Sequence, residues 1–325
     1  MLRPLLHMVI LITCLHAGSC SGAESASALV FEGLANASAG VAVGPNRFIV
    51  GCDEDNALKL YEVGGRKPLS RFETSPWLGL QTRNGEADFE GAARIGDVAF
   101  WIGSHGRNSS GDRRPDRQRL VAFRVVSREG DDSLELLGQP VQNLLEELLT
   151  DPGLALLNLR TAATRPPDHG GLNIEGLAEG VDRSLVLGLR GPLHEGRAVL
   201  IPLLNPLERI QGKPAKLAAP VFLDLGGRGI RDLVRVDNDL YILAGSPDGG
   251  GKTHLYRWSG KGMEPGRVET PKLKGLNPEA LVLLGEGQDR RLLVLSDDGN
   301  LASNRGPEPG SRTFRAVAVP IPDTR

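Results

Sequence analysis

The chain has 325 residues, 40% of them hydrophobic, with 42 Gly, 22 Pro and a formal net charge of −2. That length suits one large all-β domain or two ordinary ones, and the near-neutral charge excludes the basic footprint of a nucleic-acid binder. So many turn formers leave little room for long helices.

The N-terminus reads as a secretory leader. Arg3 supplies a positive start, Leu5 to Leu15 is mostly apolar, and Ser21-Gly22-Ala23 gives a small-x-small cleavage site, so residues 1–23 are expected to be removed and 24–325 to form a single domain. The alternative end, Ala17-Gly18-Ser19-Cys20, is a poor lipoprotein sequence, so release is favoured over lipid anchoring at Cys20. The leader is too short to span a bilayer, and no later segment is apolar enough to do so. Cys14 and Cys20 fall in the leader, which leaves Cys52 alone and the mature chain without an internal disulfide. A small buried hydrophobe is the expected role of Cys52.

Past residue 28 the pattern is short apolar runs of strand length, and one motif returns. It reads Asp88-Phe89-Glu90-Gly91, Asn173-Ile174-Glu175-Gly176, Gly229-Ile230-Arg231-Asp232 and Asn277-Pro278-Glu279-Ala280. Repetition of one strand motif at this spacing predicts a β-propeller. Thirteen residues separate Glu90 from Gly103, Glu175 from Gly188 and Arg231 from Ala244, each interval being strand, turn, strand. The same count back from Cys52 places Ala39 in register and makes Glu32, within the look-alike Phe31-Glu32-Gly33-Leu34, a decoy. Residues 28–34 are then a spare strand.

In chain order, the first unit comprises strands near 40–43, 47–52, 57–63 and 68–72. The second starts at Asp88 and continues through Val98–Gly103, Leu120–Val126 and Ser133–Gly138, with an exposed, mobile loop over 106–119. Leu144, Leu145, Leu148 and Leu149 fall on one helical face opposite Glu146 and Glu147, so a short helix is expected within an insertion near 142–165. It is read either as a lid or wall, or as a plug on one face of the scaffold. The third and fourth units start at Asn173 and Gly229. The fifth starts at Asn277 and lacks a fourth strand, which 28–34 supplies, so that five four-stranded blades are closed by the N-terminal strand.

The first strand of each blade lines the channel. Glu90, Glu175, Arg231 and Glu279, with Asp88, Asn173 and Asn277 two residues earlier, are expected to ring its mouth. Crowded carboxylates need a counter-charge. Arg231 is one candidate; Ca²⁺ or Mg²⁺ held by Glu90, Glu175, Glu279, Asp88, Asn173 and Asn277 is another. The blander reading is a clasp in which these side chains accept hydrogen bonds from the next blade's backbone. The loops after the second strands form a second set: Asp53-Glu54, Ser104-His105, Leu189-Arg190, Gly245-Ser246 and Ser296-Asp297-Asp298. Their variety suits an asymmetric pocket made of Asp53, Glu54, Ser104, Ser246, Asp297, Asp298 and Arg231. His105 is the candidate base and Arg190 the candidate anion binder. No G-x-S-x-G, H-E-x-x-H, P-loop or paired-Cys zinc motif is present. Aromatics at 4% disfavour stacked sugar-binding platforms.

The Glu-Gly-Leu-Ala repeats, Gly103-Ser104-His105, Gly188-Leu189-Arg190-Gly191-Pro192, Gly229-Ile230-Arg231 and Asn277-Pro278-Glu279 resemble a bacterial β-propeller family known only as a domain of unknown function, over most of residues 36–318. There is also a distant similarity to the esterase-like phytase propellers through the Glu-Gly strand motif. The first resemblance implies a propeller and no settled activity. The departures at Ala39 and at Arg231-Asp232 put a fully acidic metal ring in doubt. The expected function is an exported propeller that binds a small ligand or cation at its channel mouth. The rivals are a Ca²⁺-dependent phosphoester or lactone hydrolase with His105 as base, and a scaffold for a protein partner.

Overall fold

Four of the five sheets are built from consecutive strands, and the fifth borrows its outer strand from the other end of the chain. The computed structural model describes residues 28–82, 85–128, 131–270, 273–305 and 309–321. The leader, its cleavage site and Cys20 lie outside the described residues. Within them, no helix is long and apolar enough to cross a membrane.

Strand β1 (Leu29–Glu32) comes first. Blade 1 is β2 (Ala39–Ala42), β3 (Arg47–Gly51), β4 (Ala57–Glu62) and β5 (Ser70–Glu73); blade 2 is β6 (Phe89–Ile95), β7 (Val98–Gly103), β8 (Leu120–Arg128) and β9 (Asp131–Val141). Blade 3 is β10 (Asn173–Glu179), β11 (Leu185–His194), β12 (Arg197–Leu203) and β13 (Val221–Leu223); blade 4 is β14 (Gly229–Val236), β15 (Asp239–Gly245), β16 (His254–Trp258) and β17 (Gly266–Val268). Blade 5 is β18 (Pro278–Leu284), β19 (Arg291–Ser296) and β20 (Thr313–Pro320), and β1 pairs antiparallel with β20 from Leu29↔Ala316 to Glu32↔Thr313. The expected all-β, five-bladed propeller sealed by its N-terminal strand is what forms. Glu32 sits on that outer strand, paired with Arg66 at 3.0 Å, and not near the channel.

Successive side chains of a strand point to opposite faces, so that in β7 Phe100 and Ile102 enter one seam and Ala99 and Trp101 the other, and the core lies in the seams between blades. The closure seam holds Phe31, Phe48, Tyr61 and Phe314, all buried. Phe31 stacks on Phe314 at 5.0 Å between centroids and meets Phe48 edge-on at 5.3 Å. The Tyr61 hydroxyl donates to the Glu32 carbonyl at 2.8 Å, which gives this buried ring its polar partner.

The expected insertion is helical: α1 (Leu144–Thr150) and α2 (Leu159–Ala162) flank a 3-10 turn at Pro152–Leu157. Leu144, Leu148, Leu154, Leu157 and Leu159 join the core between blades 2 and 3, so the insertion plugs that seam. Glu147 is tied to Arg209 at 2.9 Å and accepts the Ala215 amide at 3.2 Å. The loop 106–119 is anchored, contrary to its composition. Fully buried Arg119 donates to the carbonyls of Leu78, Gly79, Pro115 and Gln118 and to Asp116, while Asp116 accepts the Gln81 and Thr82 amides.

Candidate functional site at the channel mouth

The repeated polar residue of the inner strands of blades 2 to 5 is a β-bulge. The ladder slips between Phe89 and Gly91, between Ile174 and Gly176, between Ile230 and Asp232, and between Pro278 and Ala280. The residues skipped are Glu90, Glu175, Arg231 and Glu279. A bulged residue leaves the pleat alternation and its side chain is re-aimed. That places four charged groups at one end of the channel without inserting them into the apolar seams. The glycines that follow Glu90 and Glu175 have a reason: a Cβ on Gly91 would stand 3.0 Å from Leu177, and one on Gly176 2.8 Å from Ile230.

Blade 1 starts its inner strand at Ala39, as the spacing predicts, but without a bulge. Strand β2 pairs without a slip, and Ala39 is fully buried in the seam with Phe89 and Trp101. Just before that strand, the Ser38 amide donates to the Gly51 carbonyl at 3.3 Å. The hairpins also differ: β2 and β3 close at Ala42↔Phe48, β6 and β7 at Ile95↔Val98.

Guanidinium groups hold two of the three bulge carboxylates. Glu175 receives Arg190 at 2.7 Å and Asn173 at 2.9 Å on Oε1, with Arg231 3.7 Å from Oε2. Arg231 also pairs with Glu279, 2.5 Å to Oε2. Those carboxylates raise the Arg231 pKa against the opposing effect of burial. Arg231 is therefore the internal counter-charge of the ring. Arg190, the candidate anion binder, is committed to Glu175 and to the Pro247 carbonyl at 3.1 Å.

The backbone clasp exists, at the residue that breaks the motif. Asp232 is fully buried and accepts the amides of Leu281 and Leu233 at 2.7 Å each, with that of Leu177 close enough to act on it. One carboxyl thus touches strands of blades 3, 4 and 5.

Other sequence candidates separate by role. Asp88, at a positive φ of 54°, receives Arg117 at 3.0 Å. Asn36 donates to Asp53 at 3.2 Å, and Asn277 donates to Asp297 at 3.2 Å. Asp298 is spent inside blade 5, where it takes three hydrogen bonds from Arg315 and one from the Ser296 hydroxyl. Exposed Glu54 pairs with Arg312 at 2.8 Å, and Ser246 donates to Asp248. His105 turns away from the ring and lines a separate cavity with Arg107 and Arg114.

Glu90 stands apart. It is partly buried, and no described residue hydrogen-bonds its carboxyl. Burial first, and then the carboxylates of Asp88, Glu175, Asp53 and Glu279, push it well above the usual range. Burial also raises Asp88 and Glu279, each to about 7, and raises Asp53 and Asp297. Asn36 Oδ1, Arg117 Nε, Asn173 Oδ1, Glu175 Oε2 and Arg231 Nε are buried at this end and bond no other protein group. Among the described residues, no group of three or more His, Cys, Asp or Glu side chains is arranged to hold a metal ion. Deeper in the channel, Val41, Ala93, Ala178, Val234 and Val282 help to line a cavity of about 240 Å³.

The molecule is thus a five-bladed propeller with a charged mouth. It belongs to the family of proteins of unknown function DUF3616, whose model matches residues 123–300. No curated protein matches it. Among solved structures it is similar to a glutaminyl cyclase from Myxococcus xanthus (11% identity, 90% of this chain and 96% of that chain, TM-score 0.47). It is also similar to an exo-β-1,3-galactanase from Clostridium thermocellum (10% identity, 90% and 60%, TM-score 0.48) and to a putative glucose dehydrogenase from Thermus thermophilus (16% identity, 90% and 100%, TM-score 0.42). The esterase-like phytase similarity gains no support from these matches.

Proposed function

We propose that the channel mouth binds a small cation, foremost an organic amine. The observation that supports this most directly is Glu90: a carboxyl without a hydrogen-bond partner, set among Asp53, Asp88, Glu175 and Glu279. Two guanidinium groups already serve Glu175 and Glu279, so the unmet demand is for positive charge or proton donors beside Glu90. An ammonium group meets it by bridging separate carboxyls through its three N–H donors. A bare divalent ion asks for converging oxygens at short range, which the described residues do not assemble. The leader at Arg3, Leu5–Leu15 and Ser21–Ala23 supports action outside the cytoplasm.

Calorimetric titration with putrescine, Ca²⁺ and Mg²⁺ tests the reading. Putrescine should bind the native protein, and Glu90→Gln should weaken it at least tenfold. Unchanged binding by the variant contradicts the proposal. Tight Ca²⁺ binding without putrescine binding would restore the metal-dependent hydrolase reading.

A further inference from the structure

Beside the acidic mouth lies a cavity of opposite charge. It measures about 200 Å³ and lies between the loop after β7 and the helical insertion. Its wall carries Arg107, Arg113, Arg114 and Arg160, and no Asp or Glu among the described residues lines it. In a chain of net charge −2, four guanidinium groups around one hollow are a strong local excess.

Their commitments differ. Arg107 fastens the loop to the insertion, donating to the Ala163 carbonyl at 2.9 Å and the Gly111 carbonyl at 2.7 Å. Arg113, Arg114 and Arg160 are exposed, and their guanidinium groups make no ion pair or hydrogen bond with another described residue. Leu145, Leu149 and Ala163 supply an apolar side.

His105 gives the cavity a second kind of recognition. It is 2% exposed, and Nδ1 lies 2.8 Å from the Gly103 carbonyl oxygen. That carbonyl only accepts, so the proton sits on Nδ1 and Nε2 carries a lone pair. Nε2 is buried and bonds no protein group. Burial pushes the imidazole down to about 4, so it is neutral at physiological pH and acts as an acceptor.

We propose that this cavity is a second binding site, distinct from the channel mouth, for a small hydroxylated oxyanion: Arg113, Arg114 and Arg160 hold the anion and His105 Nε2 accepts a hydrogen bond from a ligand hydroxyl. Sugar phosphates and sugar acids share this chemistry. Guanidinium groups match phosphate and carboxylate oxygens through paired N–H donors.

Calorimetry with glucose 6-phosphate, gluconate, sulfate and glucose decides the matter. At least one of glucose 6-phosphate and gluconate should bind with submillimolar Kd, and comparison of the two distinguishes a phosphate from a carboxylate ligand. Sulfate should bind about tenfold more weakly and glucose not measurably. Arg113→Gln/Arg160→Gln, on exposed positions that leave the fold intact, should weaken the bound sugar anion at least tenfold. His105→Asn, which tolerates the positive φ of 56° at this position, should weaken it about fivefold and leave sulfate unchanged. No binding of either sugar anion, glucose binding as tightly as its phosphate, or full affinity in the double arginine variant would overturn the proposal. Sulfate binding as tightly as the sugar anions would overturn the part assigned to His105.

Discussion

Arg231 is the side chain on which the mouth turns. It is 7% exposed and faces two carboxylates, of which Glu279 has no other hydrogen-bond partner among the described residues. Removing one member of a buried ion pair costs about 3–5 kcal/mol, because the other charge is left without compensation. Arg231→Gln should therefore lower stability by that order in chemical denaturation. Glu90→Gln should do the reverse and stabilise the protein above pH 7, because it removes a charge that burial and four carboxylates oppose. Cys52 makes a third test. It is 4% exposed, its thiol donates to Asp55 at 3.4 Å, and burial pushes it up to about 12. Ellman's reagent should label it only after unfolding; prompt labelling of the native protein would contradict the buried, protonated thiol.

Strands were easier to read than sites because burial writes itself into sequence as alternation, and alternation located nearly every strand within a few residues. The spare strand at 28–34 followed from counting, since the fifth unit lacked one. Side-chain aim was less legible. A β-bulge inserts a residue without changing composition, so the repeat points Glu90, Glu175, Arg231 and Glu279 to the channel mouth but does not reveal the bulge that aims them there. The visible trace was the Gly, Asp or Ala after each. Asp232 looked like a departure from the motif and is the clasp between blades, while Arg119, which anchors the 106–119 loop, had no local signal, since its partners include residues some forty positions away. Closure is testable at this scale. Phe31→Ala removes a fully buried ring from the β1 seam and should cost about 3–5 kcal/mol. A loss below about 1 kcal/mol would mean that β1 does not seal the ring.

Across the whole molecule, titration at the mouth should set the pH dependence of stability. Asp88 and Glu279 have ordinary values of 3.8 and 4.5 and stand at about 7 in the folded protein. The folded state therefore holds protons that the unfolded chain releases between about 4 and 7, and stability falls as pH rises through that window. His105, pushed from 6.5 down to about 4, acts in the opposite sense, but only below its ordinary value. Between pH 6.5 and 8.5 the carboxyls act without it, and the melting temperature should fall. A bound cation opposes this fall by stabilising the ionised carboxylates, so binding must expel protons. Titrating putrescine into the protein at pH 7 in two buffers of different ionisation enthalpy measures that release. About one proton should leave per ligand bound, given carboxyls standing near 7, and affinity should increase from pH 5.5 to pH 8. Binding without proton release, at an affinity indifferent to pH, would contradict it.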